Sequence, residues 1–294
     1  MSDLAPALTR FRNPAAFFEV AGPFLVDHEA EHCLPLGICA GLAEHSEELT
    51  PTSYLAVVEQ AGAVAAVAIC TPPHHLVLAR TRTPEAIALI AADVCQVHPD
   101  LAGVLGPPGV SRAFADAWQR LTGRSARLSM AQRIYALTAV IPGAGVPGSL
   151  RPATEADRKL LVEWVRAFAS EAFPDAIPGA AERMVDARLA SPVAGFSFWE
   201  DAGPVSLVGY SGPTPHGIRI GPVYTPPAHR RKGYASAAVA AVSQLLLDGG
   251  RQFVCLFADL ANPTSNRIYQ AIGYRPVADV DDYQFGDAEA AGPT

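Results

Sequence analysis

GPVYTPPAHRRKGYASAAVAAVSQLLLDGGRQFVCLFADLANPTSNRIYQAIGY, residues 221–274, is the stretch from which the rest of the chain is read. Val223–Thr225 reads as the end of a strand. Pro226 and Pro227 stop that strand, because they lack the amide donors a ladder needs. Arg230, Arg231 and Lys232 make a short basic loop, and Gly233–Leu247 reads as a helix of small and apolar residues. A helix start leaves about four backbone N–H groups unpaired, and the aligned peptide dipoles add roughly half a positive charge there. Gly233, Ala235 and Ser236 keep side chains small, so a phosphate can approach the backbone. The junction therefore reads as an anion site that suits a diphosphate better than a single carboxylate. The plainer reading is a strand-to-helix turn with a solvated basic loop.

Two other phosphate motifs do not apply. No Gly-Lys-Ser/Thr triplet occurs, so there is no Walker loop. A literal G-x-G-x-x-G falls at Gly143, Gly145 and Gly148, but Pro147 interrupts it and Arg151-Pro152 follow instead of a helix. The dinucleotide reading needs strand, turn and helix in one unit, so this stretch reads as a linker.

Arg230-Arg231-Lys232-Gly233-Tyr234-Ala235 resembles the Q/R-x-x-G-x-G/A motif of the GNAT N-acetyltransferase superfamily. Asn262-Pro263-Thr264-Ser265-Asn266-Arg267-Ile268-Tyr269, followed by Ile272-Gly273-Tyr274, resembles that superfamily's later N-P-x-S-x-x-x-Y-x-x-x-G-F/Y signature. The two occur in the expected order, separated by a helix and a strand. The resemblance implies acetyl-CoA as co-substrate and no metal. It assigns cofactor binding to Val223, Tyr224, Thr225, Arg230, Arg231, Lys232, Gly233, Tyr234, Ala235, Ser236, Asn262, Ser265 and Tyr269. It also implies that a bulge at Pro222 splays this strand from the next, Phe253–Asp259, opening a slot whose free backbone groups at Val223 and Thr225 pair with pantetheine amides. The catalytic residues it implies are Val223, whose N–H faces the developing oxyanion, and Tyr269, which assists the departing thiolate. A phenol with a reference pKa near 10 suits a thiol near 8.5. Many members carry a basic Glu on the strand ending at Thr225. Gly217–Thr225 has no carboxylate, which leaves Glu200, His216, Asp259 or water as the base.

Composition fits this reading. Half of the 294 residues are hydrophobic and 17% are charged, enough apolar side chain for a sizeable core. The net charge of −7 argues against nucleic acid. The five cysteines are odd in number and form no C-x-x-C, and they read as reduced core residues of a cytoplasmic protein. No apolar run approaches the roughly 18 residues of a membrane span.

Upstream, Leu4–Phe18 and Leu34–Ala43 read as helices. Between them lies a literal H-E-x-x-H, His28–His32, the pattern of zinc peptidases, with Glu47 or Glu48 as a third ligand. Pro35 falls where an active-site helix should still run. Tyr54–Glu59 and Val64–Thr71 read as a hairpin. A strand at Val77–Ala79, a helix from Pro84, a strand at Gly103–Leu105, a helix over Ser111–Leu121 and a strand at Ala126–Leu137 follow. This order parallels the second half, so two copies of one unit are inferred. The first copy is expected to have Pro107 and Pro108 where the second has Arg230–Lys232, making it a degenerate phosphate site that serves as scaffold or cleft wall.

The fold class expected is α/β (α+β): two tandem GNAT-like domains, each a mixed, mostly antiparallel twisted sheet flanked by helices. The domains are placed at 1–142 and 150–286, with a linker at 143–149 and a frayed tail at 287–294. Thr154 is read as an N-cap with Asp157 in a capping box, and the resemblance makes Glu171 and Phe173 candidate acceptor contacts. The function expected is N-acetyl transfer from acetyl-CoA to a small-molecule or peptide amine by direct attack in a ternary complex, by a monomer or homodimer without nucleic-acid or membrane partners. The alternatives are a non-catalytic acyl-CoA-binding sensor or regulatory protein, and a zinc metallopeptidase using His28 and His32.

Overall fold

The computed structural model describes residues 5–44, 52–143, 145–172 and 177–288. The chain divides into two compact units. One comprises Met1–Ile134, Asp259–Ala261 and Val277–Thr294; the other comprises Tyr135–Ala258 and Asn262–Pro276.

The first half runs β1 (Ala7–Phe11), α1 (Pro14–Val26), α2 (Cys33–Glu44), β2 (Tyr54–Gln60), β3 (Ala63–Cys70), β4 (Leu76–Leu78), α3 (Pro84–Val97), β5 (Gly103–Gly106), α4 (Pro108–Thr122) and β6 (Arg124–Leu137). Strands β1 to β4 pair antiparallel in sequence, and β5 joins β4 in parallel. The helix expected over Leu4–Phe18 is instead strand β1 followed by the start of α1. Asn13 sets the break: its side chain accepts from the N–H groups of Ala15 and Ala16, with Pro14 in the first helical position. Pairing of Ala7–Phe11 along β2 overrides the loose amphipathic pattern.

The second half runs β7 (Ser149–Pro152), a 3-10 turn, α5 (Arg158–Ala172), α6 (Ala180–Ala190), β8 (Gly195–Glu200), β9 (Pro204–Ser211), β10 (Gly217–Tyr224), a second 3-10 turn, α7 (Tyr234–Asp248), β11 (Phe253–Asp259), α8 (Pro263–Ile272) and β12 (Arg275–Ala288). Strands β7 to β10 pair antiparallel and β11 joins β10 in parallel. The element order and strand senses repeat those of the first half, so the mixed, mostly antiparallel tandem architecture read from the sequence is the one observed. The G-x-G-x-x-G stretch leads into β7, not a helix.

The repeat corrects one correspondence. Helix α7 lies between β10 and β11, so its counterpart is α3, between β4 and β5. The first copy's corner is therefore Ala79–Thr83, which carries Arg80 and Arg82, and not Pro107–Pro108, which opens α4. This corner is a poorer phosphate site because two of its loop amides are taken and no left-handed residue turns its amides toward one point. The Arg82 N–H reaches Ala65 O at 2.9 Å, and the Thr83 N–H reaches Thr81 Oγ1 at 3.2 Å. Pro84 has no N–H, and Glu85 puts negative charge in the first turn. Arg80 bonds Glu31 at 3.4 Å, and Arg82 stacks over Phe24 at 5.6 Å. The neighbouring strands also stay closed: a Cβ at Gly106 would stand 3.1 Å from Leu78 Cβ.

The core of the second unit lies on both faces of its sheet. Ile218, Ile220, Val254 and Leu256 pack with Val239 and Val242 of α7 on one face. Phe196, Phe198, Leu207 and Tyr224 pack with Leu161, Trp164 and Val185 of α5 and α6 on the other. The capping box at Thr154 and Asp157 forms as read and is extended by Arg151, whose Nη1 lies 2.8 Å from Asp157 Oδ2.

Candidate functional site

Strands β10 and β11 are in register only at Gly217–Phe253, Ile218–Val254 and Arg219–Cys255. Beyond Arg219 the parallel ladder stops, and on the other edge of β10 the register to β9 shifts between Ile220 and Val223. Pro222 lies inside that shift and cannot donate to a ladder. Pairing to β9 resumes at Val223–Val208 and Tyr224–Leu207, while the edge of β10 facing β11 is left without ladder partners over 220–224. The sequence-read splay is therefore present, with Val223 on its border.

At the end of β10 the chain makes a tight corner into α7. Arg231 has φ 63° and Gly233 φ 84°, with the helical residue Tyr234 directly after. Left-handed residues beside helical ones turn successive N–H groups toward one point, an anion-binding concavity. No side chain caps α7, and the first helical-type bond made to this corner is Ala237 N to Gly233 O at 3.0 Å. The amides of Gly233, Tyr234, Ala235 and Ser236 therefore remain open among the described residues. A side chain at Gly233 would press on Val146 Cγ2 at 3.0 Å and strain the left-handed backbone.

The basic residues of the corner differ in their engagement. Arg231 and Lys232 are exposed. Arg230 is held by the protein: its Nε reaches Thr225 O at 2.8 Å and its Nη2 reaches both carboxylate oxygens of Glu171 at 2.7 and 2.8 Å. So the Thr225 carbonyl, expected to be free for a pantetheine amide, already accepts a bond, and Glu171, an expected acceptor contact, is an ion-pair partner. Phe173 lies outside the described residues. The Tyr224 ring faces the α5 side at 6.0 Å from Trp164, and the Tyr234 hydroxyl bonds Asp201. Both aromatic side chains position the corner.

Helix α8 begins as read, with the Asn262 side chain accepting from Ser265 N at 3.1 Å, and it ends at Gly273 in the left-handed region. Tyr269 is buried at 9% exposure, its ring 6.5 Å from Tyr135 and 6.0 Å from Tyr274. Burial pushes its phenol up to about 12, so it is a donor across the physiological range. Its hydroxyl bonds no protein group among the described residues, whereas the Tyr274 hydroxyl is fixed by Ser243 at 2.7 Å. Tyr135, which sequence reading passed over, anchors α8: its hydroxyl donates to Asn266 Oδ1 at 2.8 Å and receives Gln270 Nε2 at 3.1 Å.

The base candidates are scattered. Glu200 receives Arg151 Nε at 2.8 Å. His216 is exposed in the turn before β10, and Asp259 receives the Ala261 N–H at 2.8 Å. The H-E-x-x-H residues occupy the turn between α1 and α2, not a continuous helix. His32 is 2% exposed, with Nδ1 2.9 Å from Leu25 O and Nε2 accepting from Arg80 N at 3.4 Å, so its lone pair is already engaged. Arg80 Nη1 lies 3.0 Å from His28 Nε2. The motif thus braces the first copy's corner. Glu47 and Glu48 lie outside the described residues.

A tandem, split-sheet α/β protein with an open helix start is the class these features define. The model of a family described as FR47-like protein matches residues 207–281, which span the splay, the corner and α8. Among solved structures, the chain is similar to a GCN5-related N-acetyltransferase from Sphaerobacter thermophilus (17% identity, 96% of each chain, TM-score 0.62). It is similar to a Drosophila protein (12% identity, 97% of this chain and 100% of that one, TM-score 0.67). It is also similar to a tandem GNAT protein from the clavulanic acid biosynthesis pathway (14% identity, 99% and 100%, TM-score 0.58). At these identities the structures establish the fold alone. No curated protein matches the chain. The FR47-like match covers the region from the splay to α8, and the fold is the one these GNAT structures share. No helix among the described residues is long and apolar enough to cross a membrane.

Proposed function

We propose that the second unit is an acetyl-CoA-dependent N-acetyltransferase that works by direct attack of an amine within a ternary complex. The observation that carries this reading is the conjunction of the β10–β11 separation with the uncapped start of α7. The open amides of Gly233–Ser236, with Arg231 and Lys232, fit a diphosphate in shape and charge. Arg230 shapes the loop through Thr225 and Glu171 and contributes charge at a distance. Val223 lies where β10 leaves β11, and its backbone would orient the acyl carbonyl; one such donor is typically worth about 3 kcal/mol. Acetyl-CoA supplies the activated thioester. Tyr269 donates a hydrogen bond to the sulfur. At about 12 its phenol is a weaker acid than a thiol near 8.5, so it stabilises the leaving thiolate by a hydrogen bond, and the thiolate takes its proton from the nitrogen that has added to the carbonyl. With Glu200 held by Arg151 and no carboxylate on β10, water takes the acceptor's proton.

Isothermal titration with acetyl-CoA and a free-thiol assay against an amine panel test this reading. Saturable binding with amine-dependent thiol release is expected. The lack of a carboxylate on β10 favours a second reading, a non-catalytic acyl-CoA sensor, and binding without turnover on any amine would select it.

A further inference from the structure

Strand β10 carries an arginine in an otherwise apolar run, GIRIGPVY. Ile218 and Ile220 point into the α7 side of the sheet, so Arg219 points to the α6 side. There it meets Arg188 from the last turn of α6. Arg188 Nη1 sits 2.5 Å from Gly221 O, two residues from Val223, and its guanidinium lies 5.1 Å over the Phe196 ring. A Cβ on Gly209 would collide with Arg188 Nη1, so the glycine makes room for the guanidinium. Arg219 lies 6.0 Å over the Phe257 ring, and its Nη1 is buried without a hydrogen-bond partner.

No ion pair involves either arginine among the described residues. Three other arginines of the chain are matched to carboxylates: Arg158 to Asp186, Arg133 to Asp279, and Arg151 to Asp157 and Glu200. Here two guanidiniums share a partly desolvated space, and burial first, then Arg219, lowers Arg188 to about 9, leaving it protonated at neutral pH. Leaving buried charge uncompensated is costly, and neighbouring guanidiniums of which one keeps an unpaired buried donor are characteristic of a ligand site.

Resting on the acyl-transfer reading of this slot, we infer that Arg188 and Arg219 bind a carboxylate of the amine acceptor, so that the substrate class is amino acids and related amino carboxylates. The guanidinium fork matches a carboxylate in two parallel bonds, and the position of Arg188 beside Gly221 puts that carboxylate next to the border of the splay. The overall negative charge of the chain, a hint toward cationic amines, is reversed locally by this pair.

The test is a binding measurement that needs no turnover. The thermal midpoint of the full chain is followed at saturating CoA with a panel of α-, β- and ω-amino acids, each as the free acid and as its carboxamide. At least one free acid is expected to raise the midpoint, with its amide about tenfold to hundredfold weaker. Arg219→Met is expected to abolish that difference without lowering the midpoint of the unliganded protein, since it removes a half-buried guanidinium whose Nη1 is unpaired. Arg188→Gln gives the same loss of discrimination if Arg219→Met does not fold. Equal binding of acids and amides, no shift by any acid, or discrimination that survives in the folded variants overturns the proposal. Acid-selective binding without thiol release leaves it standing and defeats the transferase reading; equal turnover of acids and amides does the reverse.

Discussion

The role proposed for Tyr269 rests on what its hydroxyl lacks. Its ring is buried against Tyr135 and Tyr274, yet the phenol bonds no protein group among the described residues and is held at about 12. Tyr269→Phe is expected to lower kcat about tenfold to hundredfold while the acetyl-CoA Kd stays within a few-fold, because the lost bond is stronger to a developing thiolate than to a thioester. Unchanged kcat in stopped-flow thiol release would remove Tyr269 from the mechanism. If no side chain serves as base, kcat/KM should rise tenfold per pH unit up to the acceptor amine's own pKa, and fall only where Tyr269 ionises near about 12. A plateau in the range of a carboxylate or imidazole would identify a protein base. At Asp157 the hydrogen bond from Arg151 lowers the carboxyl from 3.8 to about 2. A depressed folded-state pKa stabilises the fold above the unfolded value, so the stability gap between wild type and Asp157→Asn should be full above about pH 4 and vanish as pH falls toward about 2 in urea titrations.

At the scale of elements, the corner into α7 was legible because its signals are local. Prolines stop a strand, a glycine turns the chain and small residues start a helix, all within a dozen positions. The same holds for the 3-10 turn leading into α5 and for α8, whose caps Thr154 and Asn262 act on residues three away. The engagement of Arg230 was not legible, since Glu171 lies far upstream in sequence. Nor was β12, whose acidic run Asp279–Asp282 argues against a strand by propensity. There the tertiary partners decide: Arg133 grips Asp279 at 2.6 and 2.9 Å, and His75 meets Asp282 at 2.6 Å. The corner makes its own prediction. Gly233→Ala forces a side chain into the left-handed region, costing roughly 1–2 kcal/mol, and should weaken acetyl-CoA binding by tilting the open amides. Wild-type affinity together with wild-type stability in denaturant melts would mean that those amides do not hold the ligand.

At the scale of the whole molecule, the sequence told that two copies exist but misaligned them. Pro107–Pro108 and Pro226–Pro227 look alike as letters, and only strand pairing reveals that α3, not α4, is the counterpart of α7. Arg188 and Arg219 escaped notice for the opposite reason: a lone arginine in a strand and another at a helix end gain meaning only when the fold brings them together. The corrected alignment sharpens what each copy can bind. Ala79–Thr83 has two arginines, but its amides and cations are spent on Ala65, Thr81, Glu31 and Phe24, and its strands stay in contact at Leu78 and Gly106. Charge count alone would give the chain two candidate phosphate sites; only the corner before α7 has the left-handed residues, Arg231 and Gly233, on which the proposal rests. Calorimetric titration should therefore find a single acetyl-CoA per chain. The double variant Arg231→Gln/Lys232→Gln should weaken that site at least tenfold and flatten its dependence on salt, since both cations are exposed and screened by ions. Arg80→Ala/Arg82→Ala should leave the affinity within a few-fold while lowering the melting temperature, because those arginines brace the turn between α1 and α2. A second equivalent of acetyl-CoA lost only in the Arg80/Arg82 variant would mean that the first copy binds the ligand after all, and that open amides are not what separates the two corners.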